Sequence, residues 1–600
     1  MSAPAGMTHP AASADHGHGG GEMTDHSFLI PVMGTGFTID TPLRVARYGI
    51  SSVLSLVDDI LIEQMRKYWA QLEGEPYEEI GPRSDDVRAR RIRAYLDLID
   101  RTVGRQVEAL RASRFEPGSE ITRYHELLPD GPKRCRYLEM LDLPAGPGRD
   151  AIEDELRSGV APGGIDVNIM TKLDRSVGPD GKPFPPDSSD AVAAARGYAD
   201  STLRGSTLVL SAGMNPRLFS YIAGHPAFRP DAEGHCDKTL TLKVSDYRSA
   251  LIQGKFLAKK GVWVSEYRVE SGLNCGGHAF PTKGLLLGPI LDEFQQQRAS
   301  LLEQVRAAFS DDARPEALDR LDASITVQGG IGTAAEHELM REHYGVDRVG
   351  WGTPFLLVPE VTNVDDGHLK RLSAATADDV WLSDASPLKV PFWNLRESAS
   401  EQARRARIAD GRPGSACPNG YAVTSKEFTE APQCIAARAY QKLKLEEVDD
   451  ADGAALRQLT LAPSCICHDL AGGATLKHGI DADATPAICP GPAVQDFSKV
   501  ASLDEMASHI YGRSSLLANS ERPHVFIREL SLYLDYLRRE RERVSQGLST
   551  SKEKYFDEFR ANLAAGVEYY RGLCDVLPEE SRASFRSDLE KLAAEIATAG

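Results

Sequence analysis

The chain has 600 residues, of which 42% are hydrophobic and 26% are charged, and its formal net charge is −18. This composition is typical of globular proteins, and the length allows several domains or one large barrel with additions. The acidic charge argues against a nucleic-acid partner, which needs a cationic face, and no run of eighteen apolar residues predicts a membrane span.

Residues 1–25 form a Gly/Ala-rich stretch that we predict to be a disordered tail. The stretch lacks the basic start and the apolar centre of a secretory signal. Nine cysteines in the whole chain are too few for a disulfide framework, so a cytoplasmic location is expected.

Eight short apolar runs rich in Val, Ile and Leu predict β-strands at 28–37, 51–57, 164–172, 207–213, 239–244, 261–269, 325–330 and 348–353. Helical patterns such as 41–49, 58–72, 245–260 and 334–345 separate several of these runs. Strands that are apolar on both faces and alternate with helices predict a parallel α/β fold. Eight such strands favour a (β/α)₈ TIM barrel. A doubly wound open sheet is the alternative, but no GxGxxG follows the first strand.

The composition and the hydrophobic pattern change along the chain, which predicts a barrel with a helical insertion, a cysteine-rich segment and a helical cap after the tail. We expect the barrel over 26–398, interrupted by a charged helical insertion at about 75–163. A cysteine-rich, loop-rich segment follows at 399–500, and a helical cap at 501–600 completes a mostly helical C-terminal extension.

Three glycine-rich stretches follow predicted strands: SGLNCGGHAF (271–280), ITVQGGIGT (325–333) and VGWGT (349–353). Backbone N–H groups at two consecutive strand-to-helix junctions of a barrel can bind one phosphate group. Taken singly, each glycine pair is explained as well by a tight turn. Their position after the last two strands favours the phosphate site.

The same stretches, in order, resemble the nitronate monooxygenase family of FMN-dependent barrels, which includes enoyl-thioester reductases. The resemblance rests on PVMGTGF (31–37), IDVNIM (165–170), SGLNCGGHAF, VQGGIGT, DRVGWGTPFL (347–356) and VPFWNLRES (390–398). It covers about 28–398. Asn274, Cys275 and Phe280 depart from the family pattern, so the resemblance leaves the substrate open.

The resemblance implies an FMN site and a catalytic histidine. The residues that would bind the FMN phosphate are Gly329, Gly330, Gly352 and Thr353. Those that would surround the flavin ring are Met33, Gly34, Asn168, Gly276 and Gly277. His278 would stand over the ring as a base or as a group that positions the substrate.

This pattern predicts an FMN-dependent oxidoreductase that oxidises a small organic substrate. An NAD(P)H-dependent enoyl-thioester reductase is the alternative, and a non-catalytic, metal-binding or partner-binding barrel is an alternative of another class. Lys243, Asp246 and Arg248 follow a strand end and are weaker site candidates, since a helix N-cap at Ser245 explains them as well. Expected partners are a small-molecule substrate and either NAD(P)H or an electron-transfer protein, and the oligomeric state stays open.

Five cysteines lie close together in the sequence: Cys417, Cys434, Cys465, Cys467 and Cys489. In a chain without a disulfide framework such clustering points to metal or cluster chemistry. Four of the five would close a [4Fe–4S] site, with Cys465 or Cys467 to spare. A Cys₄ zinc site, a Cys₃His zinc site using His468, and buried unliganded thiols are the alternatives.

Overall fold

The computed structural model describes residues 25–178, 182–185, 187–211, 213–274, 282–310, 316–448 and 453–598. Eight parallel strands within it form a closed barrel, which confirms the (β/α)₈ prediction. The strands are β1 (Phe28–Ile30), β2 (Ser51–Ser55), β3 (Ile165–Ile169), β4 (Thr207–Leu210), β5 (Thr239–Val244), β6 (Glu266–Glu270), β7 (Ser324–Gln328) and β8 (Arg348–Gly350).

The barrel closes where β8 pairs with β1, with Leu29 opposite Gly350. Most strands are shorter than the apolar runs that predicted them. The first run leaves the ladder at Pro31, which has no N–H group to donate. All eight strands point the same way, so their C-terminal ends meet at one end of the barrel.

Helices surround the barrel in the order expected of this fold. Those that alternate with the strands are α1 (Thr41–Val45), α2 (Asp59–Leu72), α7 (Asp190–Ala199), α8 (Pro216–Gly224), α9 (Tyr247–Ala258), α10 (Leu287–Arg306) and α11 (Ala334–Glu338), and a turn of π-helix (Leu339–His343) extends the last of them. Most of the apolar side chains of the barrel and its helices belong to a single buried core.

Four helices lie between β2 and β3 beyond α2: α3 (Val87–Ala112), α4 (Glu120–Leu127), α5 (Pro132–Asp142) and α6 (Pro147–Ser158). The long helix α3 packs against α2 and α7, within the ring around the barrel. A Cβ atom at Gly197 of α7 would come within 2.5 Å of the Ala89 carbonyl of α3, so glycine is what allows this close contact. Helices α5 and α6 bury a small separate core against each other.

The C-terminal part of the chain packs against the barrel, as in the contacts of α20 (Glu553–Leu573) with α10. Helix α12 (Asp366–Ser373) and the antiparallel pair β9 (Val380–Ser383) and β10 (Phe392–Leu395) come after β8, within the range predicted for the barrel. The α-helices described beyond β10 form the C-terminal extension and are α13 (Ala399–Ala409), α14 (Arg438–Glu446), α15 (Ala454–Leu461), α16 (Ile466–Asp469), α17 (Gly472–Lys477), α18 (Leu503–Ile510), α19 (Val525–Ser545), α20 and α21 (Glu579–Thr598). The predicted boundaries at 398 and 500 stay predictions.

None of the described helices combines the length and the apolar character that crossing a membrane requires. The tail predicted at 1–25 lies outside the described residues except for Asp25.

Candidate active site

A cavity of about 1000 Å³, including its opening to solvent, lies over the C-terminal ends of the barrel strands. Seven of the eight strand ends contribute to its wall, which is where barrels of this type build their sites. The barrel residues that line it include Val32, Gly34, Thr35, Ser55, Asn168, Met170, Lys172, Ser211, Lys243, Glu270, Asn274 and Gln328.

The C-terminal extension forms the other side of the cavity. Its contribution comes from Ala422 and from Ile466, Cys467 and Leu470 around α16, and the loop after β9, at 386–388, adjoins it. The Gly36 N–H donates a 3.2 Å hydrogen bond to the Leu470 carbonyl. A Cβ atom at Gly36 would lie only 2.8 Å from that oxygen, so the glycine turn after β1 is what admits α16 to this position.

Glu270 is the charged centre of the cavity wall. Its Oε1 atom accepts hydrogen bonds from Gln328 Nε2 at 2.8 Å and from Asn274 Nδ2 at 2.5 Å. Lys243 Nζ lies 3.2 Å from the same oxygen. The wall also holds Lys172, so two cations and one carboxylate face each other here.

The pKa of Lys172 is lower than that of an ordinary lysine. Burial of the ammonium group causes the shift, although the negative charge of Glu270 partly opposes it. A lysine with a lowered pKa can exchange a proton with a ligand closer to neutral pH than an exposed lysine can.

Three residues of the cavity wall carry a buried oxygen that has no hydrogen-bond partner among the described residues: Thr35 Oγ1, Asn168 Oδ1 and Gln328 Oε1. A buried polar atom without a partner costs about 1–3 kcal/mol, so such atoms are rare unless a ligand or water satisfies them. The three oxygens can accept hydrogen bonds from a ligand with N–H or O–H donors.

The residues predicted around the flavin ring are partly in this wall. Gly34 and Asn168 line the cavity, and Gly34 has a left-handed φ of 57°. The Met33 side chain is fully buried in the core, and its neighbours Val32 and Gly34 form the wall instead. Gly276, Gly277 and His278 lie outside the described residues.

The four residues predicted to bind the phosphate lie at the ends of β7 and β8, and none of them lines the cavity. Within the described residues, the backbone N–H groups of Gly329, Gly330, Gly352 and Thr353 donate no hydrogen bond. Gly329 and Gly330 have positive φ angles of 111° and 84°, which only glycine adopts readily. Unpaired N–H groups at two neighbouring strand ends suit an anion.

The Thr353 hydroxyl differs from these N–H groups because it already has a hydrogen-bond partner within the protein. It donates a 2.8 Å hydrogen bond to the Pro490 carbonyl of the C-terminal extension. The predicted phosphate site is therefore bordered by the extension, and only the backbone of Thr353 keeps a donor for an anion.

A second cluster of polar side chains lies deeper in the barrel interior, and its residues do not line the cavity. Glu266 Oε1 accepts hydrogen bonds from Arg268 Nε at 2.7 Å and from Thr326 Oγ1 at 2.5 Å, and Arg348 pairs with Glu266 Oε2 at 3.2 Å. Glu266, Arg268 and Glu270 are alternate residues of β6, so they face the barrel interior at successive heights. Only Glu270 lines the cavity.

Three of the five predicted cysteine ligands are neighbours: the Cys434 and Cys465 thiols lower the pKa of the Cys417 thiol. Cys467 follows at the start of α16, and Cys489 belongs to the main hydrophobic core. No group of three His, Cys, Asp or Glu side chains in the described part of the chain could hold a metal ion.

Comparison with known proteins gives similarity to solved structures but no family. No family model matches the sequence, and no curated protein matches it. A solved structure with a similar chain path is the enoyl reductase domain of MlnA from the macrolactin biosynthesis cluster of Bacillus amyloliquefaciens. The two chains are 13% identical with a TM-score of 0.33, over 64% of this chain and 86% of that one.

Proposed function

We propose that the protein is an FMN-dependent oxidoreductase that oxidises a small organic substrate, in the manner of nitronate monooxygenases. One observation carries this proposal: the cavity wall contains acceptor oxygens of Asn168 and Gln328 that are buried and unpaired within the described chain. A flavin ring is a flat group whose edge carries an N–H donor, so it suits a largely apolar cavity with a few such acceptors.

The FMN phosphate would be held by the N–H groups at the ends of β7 and β8. Gly329, Gly330, Gly352 and Thr353 supply four such donors without a partner in the described chain. The ring would then lie toward Asn168 and Gly34, on the β1 and β3 side of the cavity. Bound FMN would supply the two-electron redox chemistry that amino-acid side chains lack.

The protein's own groups would bind the substrate and move its proton. Lys172 and Lys243 together outweigh the single negative charge of Glu270, which favours a substrate that carries or develops an anionic oxygen, as a nitronate does. Burial lowers the pKa of Lys172, and its ammonium group would donate a hydrogen bond to such an oxygen. The role of His278 as a base stays a prediction from the resemblance.

The test combines cofactor binding with substrate turnover. The protein is reconstituted with FMN and assayed for oxidation of alkyl nitronates under air, and separately for NAD(P)H-dependent reduction of an enoyl thioester. We expect nitronate oxidation, with kcat/KM lowered about tenfold or more in Lys172→Ala because one substrate charge contact is lost. Lys67, which is exposed on α2, provides the matched control Lys67→Ala.

Two results would favour one of the alternative functions. Rapid reduction of bound flavin by NAD(P)H, with turnover of the enoyl thioester alone, would favour the reductase. FMN binding without turnover of either substrate would favour the non-catalytic barrel.

A further inference from the structure

The loop that joins β7 to α11, residues 329–333, is held by two charged side chains. The Arg522 Nη2 atom donates a 3.3 Å hydrogen bond to the Gly330 carbonyl. The Gly332 N–H donates to Glu336 Oε2 at 2.9 Å. Arg522 comes from the C-terminal extension, between α18 and α19, so the extension contacts the backbone of the loop after β7 directly.

Arg522 and Glu336 form a buried ion pair against this loop. Arg522 Nη1 lies 2.7 Å from Glu336 Oε1, and the two side chains are 4% and 2% exposed. Glu336 Oε1 also accepts the N–H of Val525, the first residue of α19, at 2.7 Å. A Cβ atom at Gly332 would come within 3.1 Å of Arg522 Nη2, so the absence of a side chain there allows the guanidinium to pack closely on the loop.

The hydrogen bond to the Gly330 carbonyl also sets the direction of the next N–H group. In a trans peptide the carbonyl and the following N–H point to opposite sides of the chain. Since Arg522 holds the Gly330 carbonyl, the Ile331 N–H points away from Arg522, and it has no partner among the described residues. The N–H groups of residues 329–331 are thus three consecutive donors without a partner in that part of the chain, an arrangement that suits an anion.

Arg522 acts on the loop rather than on a ligand, because each of its three nitrogens already has a partner. Its Nε atom donates to Asp496 Oδ2 at 3.1 Å, in addition to the bonds with Glu336 and the Gly330 carbonyl. Arg528 pairs with the same aspartate at 2.6 Å. Two arginines and two carboxylates balance each other here, so the cluster offers no net positive charge to a phosphate. What it can contribute is the geometry of the loop.

We infer that Arg522 is a positioning residue for the cofactor's phosphate. Through Glu336 and the Gly330 carbonyl it holds the loop in the conformation that presents the N–H groups of residues 329–331 to the anion. This inference rests on the proposed FMN site. A loop with three glycines has many conformations when nothing restrains it, so a rigid buried pair that fixes one of them raises affinity for the anion. The C-terminal extension is then part of the cofactor site, although Arg522 follows Gly330 by 192 residues in the sequence.

The test compares the binding of FMN with that of riboflavin, which has the same ring but no phosphate. Arg522→Lys keeps the charge but lacks the planar fork that contacts three partners at once. Glu336→Gln keeps the size of the side chain but has one acceptor oxygen in place of two. Each variant should bind FMN about tenfold more weakly than the wild type, whereas riboflavin affinity should change less than about twofold. Titration of flavin fluorescence measures both dissociation constants.

The matched control is Glu63→Gln on α2. Glu63 is also a buried glutamate, and it pairs with Arg66 at 2.7 Å and accepts the Ile80 N–H at 2.9 Å. Its replacement should destabilise the fold in a comparable way but leave the ratio of FMN affinity to riboflavin affinity unchanged. An unchanged ratio in Arg522→Lys and Glu336→Gln, or an equal change in Glu63→Gln, would overturn the inference.

Hydrogen exchange of the unaltered protein gives a readout that does not depend on the folding of variants. FMN should slow exchange in peptides that cover 329–338 and also in those that cover 520–530, because the buried pair connects the two segments. Riboflavin should protect 520–530 less. Protection by FMN that is confined to 329–338 would contradict the role of Arg522.

The same titrations separate this inference from the proposed function. Wild-type protein that binds neither flavin would contradict the proposed function and the inference with it. Wild-type protein that binds FMN no more tightly than riboflavin would leave the flavin site in place and overturn the positioning role alone.

Discussion

Gln328 Nε2 donates a 2.8 Å hydrogen bond to Glu270 Oε1, which joins the C-terminal ends of β7 and β6 in the wall of the cavity. The bond fixes the amide, so that Gln328 Oε1 is left buried without a partner among the described residues. Gln328 thus orients the Glu270 carboxylate through its Nε2 atom, and its Oε1 atom can accept a hydrogen bond from a ligand.

Removing the charge of Glu270 should lower the pKa of Lys172 further, because that charge now opposes the effect of burial. We expect Glu270→Gln to shift the titration of Lys172 to lower pH. Carbon-13 methyl labelling of lysines followed by NMR titration measures the shift, with Lys172→Ala to assign the signal. The exposed Glu108 provides the control Glu108→Gln, and an unchanged titration in Glu270→Gln would show that the two groups do not interact.

Replacing Asn168 by leucine should have opposite effects on the apoprotein and on cofactor binding. The substitution removes a buried oxygen without a partner in the described chain, so the apoprotein should be no less stable, and more stable by up to about 1–3 kcal/mol. FMN affinity should fall about tenfold, the value of one hydrogen bond. Thermal unfolding with and without FMN measures both, and Asn519→Leu at an exposed position is the control. Equal FMN affinity in Asn168→Leu would contradict a contact at this position.

Removing the charge of Asp496 should destabilise the C-terminal extension. Asp496 is 1% exposed and accepts hydrogen bonds from Arg522 at 3.1 Å and from Arg528 at 2.6 and 2.8 Å. Asp496→Asn removes the carboxylate that pairs with both arginines and leaves Arg522 with Glu336 alone, at a cost of about 3–5 kcal/mol. Urea denaturation should show the loss.

The matched control for Asp496→Asn is Glu397→Gln in the exposed pair with Arg405, which should cost less than about 1 kcal/mol. Equal losses in the two variants would contradict a special role for the buried network.

Glu529 should make stability depend on pH. Burial raises the pKa of this carboxyl to about 7, against the opposing hydrogen bond from the Leu287 N–H at 2.7 Å. The folded state therefore keeps a proton that the unfolded state releases near pH 4.5, so the stabilisation is complete below about pH 4.5 and is lost as pH rises to 7.

Glu529→Gln imitates the protonated acid and should escape this loss. We expect the variant to be more stable than the wild type at pH 8, by up to about 3 kcal/mol, and similar to it at pH 4.5. Urea denaturation at both pH values provides the comparison. A constant difference between the two proteins at both pH values would rule out Glu529 as the titrating group.

The barrel could be predicted from the sequence because its strands are apolar runs separated by glycine turns and helical patterns. All eight runs overlap a strand, and β5 spans the predicted 239–244. Strand ends were less predictable, since β6 begins at Glu266 rather than at 261. The residues from 261 to 265 are as apolar as a strand but form a loop, because the ladder with β5 begins only at Glu266.

Part of the candidate site could also be predicted, because the C-terminal ends of barrel strands are marked in the sequence. Gly34, Asn168 and Lys243 do line the cavity. The cap of α9 was misplaced by one residue, since Asp246 rather than Ser245 accepts the Ser249 N–H. Lys172 and Gln328 were missed, although each follows or ends a predicted strand and the same rule would have found them.

The side of the cavity formed by the extension could not be predicted. Nothing local to Cys467 or Leu470 indicates that α16 lies over the barrel mouth. That contact depends on pairing between distant segments, such as the bond from Gly36 to the Leu470 carbonyl. For the same reason, the sequence predicted Cys465 or Cys467 as the spare thiol, whereas Cys489 lies in the main hydrophobic core.

The first measurement to make is the absorption spectrum of the anaerobically purified protein, recorded before and after denaturation. We expect flavin bands that are released as free FMN on denaturation, or that appear when FMN is added to colourless protein. Protein that stays colourless after incubation with FMN would contradict the flavin site and leave the glycines at the ends of β7 and β8 as turns alone.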